Sequence, residues 1–313
     1  MDSHTSSNAS LGVLLNVLAS VLFAVMYAYT SLLAPLDGEE IYGWRILLTV
    51  PCLTLMVIAS GHWHEVRRLF ARLLRERLFW AVRLLSAALL GVQLWLFMWA
   101  PVNGYGLDVS LGYFIMPLTM VVLGRLAFND SISRLQLLAC AVAAVGIINQ
   151  VAIAKAITWP VLAVGLGYPL YFWLRRVSDS NNMGGLWFDM TLSLPVSLWL
   201  VLKGGVVLEV AGSGSTLPWL VLGLGAISAS ALALQALSGP RLNLTLFGLL
   251  VYVEPVLLVL AAILLGESIA PAQWPTYIAI WLAVLVLVVE GGLSLNGGRR
   301  RGYSPSRCSR EGG

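Results

Sequence analysis

Charge is scarce in this 313-residue chain, and that scarcity decides its class. Lys, Arg, Asp and Glu together make up 11% of the residues, whereas a soluble domain carries roughly 25%. Apolar residues account for 59%, so too few charges remain to cover the surface of a soluble protein of this length. The composition excludes a soluble globular protein and a disordered chain. It predicts an all-α polytopic membrane protein, for which lipid is the solvent.

Cysteine and histidine are also rare, with three of each. Neither the cysteines nor the histidines have a convincing metal-ligand or disulfide spacing, although His62-Trp-His64 is a weak metal signal. All three histidines lie outside the apolar runs, where an intramembrane enzyme would need its catalytic groups or metal ligands. No Gly-x-x-x-x-Gly-Lys phosphate loop occurs. We therefore expect no metal, no cofactor and no enzymatic activity.

Ten apolar runs are long enough to cross about 30 Å of hydrocarbon as helices. They cover residues 11–34, 41–60, 78–100, 107–127, 133–152, 157–175, 184–202, 217–238, 243–265 and 272–291. These runs are apolar all round, unlike the alternating strands of a membrane barrel. The run from Leu11 to Leu36 is longer than a signal-peptide core, so we expect it to remain as the first span.

The basic residues lie mainly on one side of these spans. With the N-terminus inside, fifteen arginines fall on the cytoplasmic side and two lysines, Lys155 and Lys203, fall outside. This bias predicts that both termini are cytoplasmic. Five of the arginines lie within residues 61–77 and five within 292–313. Such clusters beside membrane spans normally set orientation, and the C-terminal cluster lacks the interleaved aromatics of an RNA-binding tail, so we expect no nucleic-acid partner.

Residues 61–77 form the longest connection and have an amphipathic pattern. Apolar side chains from Trp63 to Leu74 recur at helical spacing among the arginines. This spacing is typical of a helix that lies on the membrane surface. An ordinary basic loop explains the composition equally well.

The two halves of the chain share a sparse pattern. Tyr27 and Pro51 match Tyr171 and Pro195 at an offset of 144 residues, and Pro117 matches Pro255 at 138. Five spans in each half is an odd number, so the second half would insert in the opposite orientation, as in many transporters. The predicted units are an N-terminal tail (1–10), two five-helix repeats (11–152 and 157–291) and a basic C-terminal tail (292–313).

Several motifs resemble one transporter family. Ser110-Leu-Gly-Tyr-Phe-Ile-Met-Pro117-Leu is similar to the fourth-helix motif of RarD-type transporters, which belong to the EamA branch of the drug/metabolite transporter superfamily. Trp44-Arg45, Leu94-Trp-Leu-Phe-Met-Trp99-Ala and Leu265-Gly-Glu267 resemble the same family. The resemblance implies ten helices in two inverted repeats and export of small metabolites or drugs across the bacterial inner membrane. Asn129-Asp130 departs from the family's usual Gly-Glu, and Glu254 stands where many relatives have a small or apolar residue.

Glu254 is the acidic residue placed most deeply in a predicted span, directly before Pro255. A charge at that depth is expensive and usually functional, and the proline disturbs the local hydrogen-bond ladder. The first repeat has Met116 at the equivalent position. We therefore expect Glu254 to act in proton coupling or cation recognition, with a neutral, hydrogen-bonded structural role as the alternative.

Other polar and aromatic residues at membrane depth are candidates for the substrate or coupling site. They are Trp95, Tyr113, Tyr252, Gln235, Arg45, Tyr27 and Tyr171. Arg45 can contact an anionic substrate or pair with a carboxylate at its own level, such as Asp37, Glu39, Glu40 or Asp108. Asp189 is expected to pair with Arg175 or Arg176. The candidate hinges are Pro117, Pro169, Pro195 and Pro255.

The sequence thus favours a secondary transporter for a small organic molecule in the lipid bilayer. A passive pore or a membrane scaffold is the main alternative, and an intramembrane enzyme is a weaker one. Substrate, transport direction, coupling ion and oligomeric state stay open.

Overall fold

The structure, a computed structural model, describes residues 2–103, 105–154, 158–205, 207, 216–264 and 270–301. The secondary structure within these ranges is helical, and they contain no strand. The α-helices are α1 (Asp2–Thr30), α2 (Gly38–Ala59), α3 (Trp63–Arg75), α4 (Arg77–Val102), α5 (Gly106–Phe128), α6 (Arg134–Ala154), α7 (Trp159–Val177), α8 (Met183–Gly204), α9 (Leu217–Ser238), α10 (Leu244–Leu250), α11 (Val253–Leu264) and α12 (Trp274–Arg301).

Seven helices of the described chain are long and apolar enough to cross a membrane, which makes the protein polytopic. They are Ala9–Thr30, Gly38–Ala59, Arg77–Ala100, Leu111–Phe128, Arg134–Ile153, Met183–Gly204 and Leu217–Arg241. The described residues of the other three predicted spans are largely helical as well, in α7, in α10 with α11, and in α12. Because these three segments are not among the seven helices that are long and apolar enough to cross a membrane, the total of ten membrane spans stays a prediction.

The predicted ninth span, residues 243–265, is divided into two helices. α10 ends at Leu250 and α11 begins at Val253, with a turn in which Tyr252 N donates to Leu249 O at 3.2 Å. Glu254 N donates to Val251 O at 3.1 Å. Pro255 has no N–H, so it cannot continue a helical hydrogen bond from the preceding turn. It falls instead in the first turn of α11, where backbone N–H groups need no helical acceptor.

Residues 63–75 form the amphipathic surface helix α3, so the alternative of an ordinary loop is wrong. Val66, Leu69 and Leu73 are buried against the rest of the protein. Phe70 and Leu74 are 52% and 72% exposed beside the arginines. Apolar side chains exposed next to basic ones are typical of a helix at the membrane surface.

α3 is held on the N-terminal end of α8. The Glu65 carboxylate accepts a hydrogen bond from Gly184 N at 3.0 Å. A side chain at Gly184 would collide with α3, because its Cβ would lie 2.8 Å from Glu65 Cβ. On the same side, Arg72 donates to the carbonyl of Ser178 at 2.8 Å. The surface helix is therefore attached to the loop between α7 and α8.

The membrane helices surround a common centre. α1 packs against α9 and α11, α2 against α8 and α9, α4 against α7 and α8, and α5 against α7 and α10. α6 and α12 pack mainly against each other at the edge of the bundle. Side chains from α1, α2, α4, α5, α7, α9 and α11 reach the middle of the molecule.

Candidate functional site

A small central cavity of about 30 Å³, with room for about one or two water molecules, lies between the helices of the two halves. Its lining consists of Phe23, Met26, Arg45, Leu90, Leu94, Phe97, Tyr113, Met116, Tyr168, Phe172, Leu232, Gln235, Val251 and Glu254. The structure thus brings together four of the predicted site residues: Arg45, Tyr113, Gln235 and Glu254.

Arg45 supplies the positive charge of the central cavity. Its side chain is 1% exposed, and its Nε donates to Ser228 Oγ of α9 at 3.0 Å. Its Nη1 has no hydrogen-bond partner among the described residues. None of the salt bridges within the described ranges includes Arg45, so the expected pairing with a carboxylate at its own level does not form there. Phe97 lies beside the guanidinium, with 6.0 Å between Cζ and the ring centroid.

Glu254 supplies the negative charge of the same cavity. It lies in the first turn of α11, directly after the break in the predicted ninth span, and is partly buried. Arg45 and Glu254 influence each other electrostatically. They do not form a salt bridge, however, so their charged atoms lie more than 4.0 Å apart. The cavity therefore keeps two opposite charges separate at membrane depth.

Five aromatic side chains contribute to the rest of the wall: Phe23, Phe97, Tyr113, Tyr168 and Phe172. The rings of Tyr113 and Tyr168 lie 6.0 Å apart, and those of Tyr168 and Phe172 lie 6.3 Å apart. Phe97 packs edge-on against Tyr113 at 6.1 Å. Sequence reasoning missed Phe23, Phe97, Tyr168 and Phe172, because an aromatic residue within an apolar run looks like an ordinary packing residue. The hydroxyl of Tyr168 in a predicted span was the one available signal.

Two predicted aromatic residues lie close to the cavity without belonging to its lining. Tyr27 packs edge-on against the cavity residue Phe97, with ring centroids 6.4 Å apart. Trp95 stacks on Trp99 at 4.8 Å, and Trp99 stacks on Tyr105 at 5.5 Å. Trp95 therefore belongs to an aromatic group near the end of α4.

The hydroxyls of Tyr171 and Tyr252 form hydrogen bonds within the protein, and neither residue belongs to the lining of the central cavity. Tyr252 is fully buried, and its hydroxyl donates to the carbonyl of Phe114 at 2.9 Å, which joins the break in the predicted ninth span to α5. The Tyr171 hydroxyl donates to Asp189 at 3.2 Å and accepts from Arg175 Nη1 at 2.8 Å. In the structure, both hydroxyls make contacts within the protein.

The four candidate hinge prolines occupy different settings. Pro117, Pro169 and Pro195 lie inside the continuous helices α5, α7 and α8. Pro117 and Pro169 are buried, whereas Pro195 is exposed on the outside of the bundle. Only Pro255 among the four adjoins a break between two helices. Hinge motion at these positions remains a prediction.

A buried polar network joins α4, α7 and α8 on the α3 side of the molecule. Arg83 and Asp189 form an ion pair in which both side chains are 0% exposed. Asp189 also accepts from Ser86 Oγ at 3.1 Å, and Arg83 Nη1 donates to Ser180 Oγ at 2.7 Å. The expectation that Asp189 pairs with Arg175 or Arg176 is therefore wrong. The partner of Asp189 is Arg83 of α4, whereas Arg175 and Arg176 belong to α7.

A second ionic contact lies where α5, α7 and α10 meet, on the same side. The Asp130 carboxylate lies 3.5 Å from Arg176 Nη1 and accepts from Thr245 N at 3.2 Å. Nearby, Phe172 and Phe247 pack with ring centroids 4.7 Å apart. Phe172 lines both the central cavity and a smaller pocket beside Arg176. The aromatic pair therefore separates the central cavity from this end of the bundle.

Comparisons with known proteins agree with this architecture. The Chloramphenicol-sensitive protein RarD of Pseudomonas aeruginosa is 39% identical over 293 residues, which cover 93% of this chain and 98% of that protein. An uncharacterised transporter of Pasteurella multocida is 35% identical, over 90% of this chain and 96% of its own. Protein RarD of Salmonella typhi is 27% identical, over 89% and 95%. No protein-family model matches the sequence.

A solved crystal structure shares the fold. It aligns with 90% of this chain and 98% of its own at a TM-score of 0.64 and 16% identity. The fold and the relatives define a multi-pass bacterial membrane transporter. Within that class, the chain belongs to the RarD family.

Proposed function

We propose that this protein is a secondary active transporter that exports a small organic metabolite or drug across the inner membrane by alternating access. The central cavity carries the proposal. It lies among the membrane helices, both halves of the chain contribute to its wall, and it contains one residue of each charge. Substrate sites in secondary transporters are commonly built in this way, near the midplane at the interface of two repeats.

Helix packing supports two inverted repeats, 11–152 and 157–291, as in the EamA branch. We pair α1 with α7, α2 with α8, α4 with α9, α5 with α10 and α11 together, and α6 with α12. If each helix is replaced by its counterpart in the other repeat, the contact between α1 and α9 corresponds to the contact between α7 and α4, and both are observed. The contact between α2 and α9 corresponds in the same way to that between α8 and α4. The contact between α5 and α7 corresponds to that between α11 and α1. A pattern that maps onto itself is expected of two repeats related by a pseudo-twofold axis.

The ion pairs support the alternation of the first seven spans in the proposed topology of ten spans with cytoplasmic termini. Arg68 pairs with Asp179, and Arg176 pairs with Asp130. Each of these pairs joins residues that the topology places at the cytoplasmic side. Lys203 pairs with Glu39, and both belong to the outer side. Reporters that are active only outside the cell test this topology when fused to either terminus, and activity at either end would contradict it.

The break beside Glu254 supports a coupling role for that carboxyl. Transporters commonly form their substrate and ion sites with discontinuous helices, and α10 and α11 are such a pair. The Glu254 carboxyl accepts no hydrogen bond among the described residues, so it is available to a proton or a substrate. Exchange of one for the other would couple export to the proton gradient.

Reconstitution in proteoliposomes tests the proposal. Vesicles loaded with a mixture of metabolites and drugs, chloramphenicol among them, are exposed to an imposed proton gradient, and mass spectrometry identifies the exported compounds. We expect saturable efflux of a small subset that depends on the gradient. Efflux that rises linearly with concentration and ignores the gradient would favour a passive pore. Chemical conversion of a compound would favour an enzyme, and absence of any flux would favour a scaffold.

A further inference from the structure

Arg45 lines the central cavity and has an unsatisfied donor. Only its Nε contact to Ser228 lies within hydrogen-bond distance at 3.0 Å, while Nη1 has no partner in the part of the chain that the structure describes. A guanidinium carries five N–H donors and no acceptor. A buried donor without an acceptor is costly. Because Arg45 also lines the cavity, the arrangement suits a ligand that brings an anionic oxygen to the guanidinium.

Glu254, on the wall of the same cavity, is an acceptor without a hydrogen-bond donor or a salt-bridge partner among the described residues. No described residue donates a hydrogen bond to its carboxyl, and its separation from Arg45 exceeds salt-bridge distance. A partly buried carboxylate at membrane depth is stabilised by a cation or by hydrogen-bond donors. The cavity as it stands has room for about one or two water molecules, so a ligand enters only when the surrounding helices separate. It then meets both charges, because the two residues do not neutralise each other by contact.

The wall around these charges is apolar and aromatic. Phe23, Phe97 and Phe172 contribute rings, and Met26 and Leu94 contribute aliphatic surface. Gln235, Tyr113 and Tyr168 are the other polar side chains of the lining. Burial of an apolar group against such a wall is favourable because it removes apolar surface from water. A ligand with two charges alone would leave this surface unused.

We propose that the substrate is an amphipathic zwitterion whose anionic group binds Arg45, whose cationic group binds Glu254 and whose apolar body packs on the aromatic wall. The inference rests on the proposed function and specifies the substrate class of that site. It also explains how export is coupled, because the cationic group and a proton compete for the same carboxyl.

Four probes with one ring and different charges test the proposal by binding to the purified protein. They are phenylalanine, phenylalaninamide, N-acetylphenylalanine and N-acetylphenylalaninamide, which are zwitterionic, cationic, anionic and neutral. A leucine series repeats the test with an aliphatic body. We expect the zwitterion to bind at least about tenfold more tightly than the neutral member in one of the two series. Equal affinity of the four members, or no zwitterion binding in either series at millimolar concentration, overturns the proposal.

Two substitutions assign the charges separately. Glu254→Gln should abolish the preference for a free amino group and keep the preference for a carboxylate. Arg45→Lys keeps the positive charge but loses the guanidinium geometry, so it should reduce only the carboxylate preference. Glu39→Gln, at a partly exposed ion pair outside the cavity, is the matched control and should leave all affinities unchanged. A uniform loss across the four probes in both cavity variants would contradict the assignment.

The experiments distinguish an error in the proposed substrate class from an error in the proposed transport function. If metabolites are exported from proteoliposomes but charge does not affect binding, only the substrate class is wrong. If the zwitterion binds with the expected preference and no flux occurs, the site stands and the transport proposal fails. The probe series remains decisive even where a substitution prevents folding, because the wild-type protein alone gives the charge preference.

Discussion

Arg83 of α4 and Asp189 of α8 form an ion pair from which solvent is completely excluded. The pair is supported by Ser86 and Tyr171, which donate to the Asp189 carboxylate at 3.1 and 3.2 Å. Removing one partner of such a pair leaves an uncompensated charge in a low-dielectric environment. The pair therefore fixes α4 against α8 more strongly than an exposed ion pair would.

Asp189→Asn should destabilise the protein by about 3–5 kcal/mol, because Arg83 keeps its charge and loses its counterion. Thermal unfolding of the purified protein in detergent measures the change. Asp179→Asn is the matched control, since Asp179 is 82% exposed beside Arg68, and it should change stability little. Equal melting temperatures for the two variants would show that the buried pair is not required for stability.

Asp130→Asn should loosen the contact between α5, α7 and α10. The amide can still accept from Thr245 N, but it no longer pairs with Arg176. The test uses a protein in which the native cysteines are replaced by serine and Phe172→Cys provides a single thiol. We expect this thiol to react several times faster with a water-soluble maleimide in the protein that also carries Asp130→Asn than in the protein without it. Unchanged labelling would mean that this ion pair does not control access to the cavity from that end. Asp179→Asn again serves as the control.

Tyr113→Phe and Tyr252→Phe should have different effects. Tyr252 donates to Phe114 O at 2.9 Å in a fully buried position, so its loss should reduce stability by about 1 kcal/mol and leave KM unchanged. Tyr113 lines the central cavity, so its loss should raise KM and leave stability nearly unchanged. The reverse assignment of KM and melting temperature would contradict both roles.

Glu254→Gln should remove the pH dependence of transport while the protein still folds, because the amide preserves the shape of the side chain. The titratable and charged groups that interact with Glu254 are Arg45, Tyr113 and Tyr168. Proteoliposome assays over a range of internal and external pH measure the profile, with Glu39→Gln as the control. An unchanged profile and rate would exclude a coupling role. Loss of folded protein would favour a structural role.

Local pattern predicted much of the helical architecture. Apolar runs of about 20 residues require helices at membrane depth, and described residues in all ten runs form helix. The spacing of Val66, Leu69 and Leu73 allowed a surface helix to be recognised as one of two alternatives. Pro255 indicated disturbed backbone in the ninth span, because its missing N–H is a property of the residue itself.

Contacts between distant residues could not be predicted in the same way. Arg83 and Asp189 are separated by 106 positions, and a sequence read one span at a time favoured Arg175 or Arg176 because they were expected at the same level. Arg45 was likewise expected near carboxylates at its own level, whereas its observed partner Ser228 lies 183 positions away. Which side chains reach a shared cavity depends on the rotation of each helix, and an all-apolar run leaves that rotation undetermined.

Among the residues whose side chains the structure describes, none of α6 or α12 lines the central cavity, and the two helices pack mainly against each other. Mutational change in the family can therefore act on two separate parts of the molecule. Substitutions along the contact between α6 and α12 would alter the folding stability and the fit to a particular bilayer, with ligand preference kept. Substitutions on the inner helices would change which compound is carried. A new specificity could thus evolve on a scaffold whose stability had been improved independently.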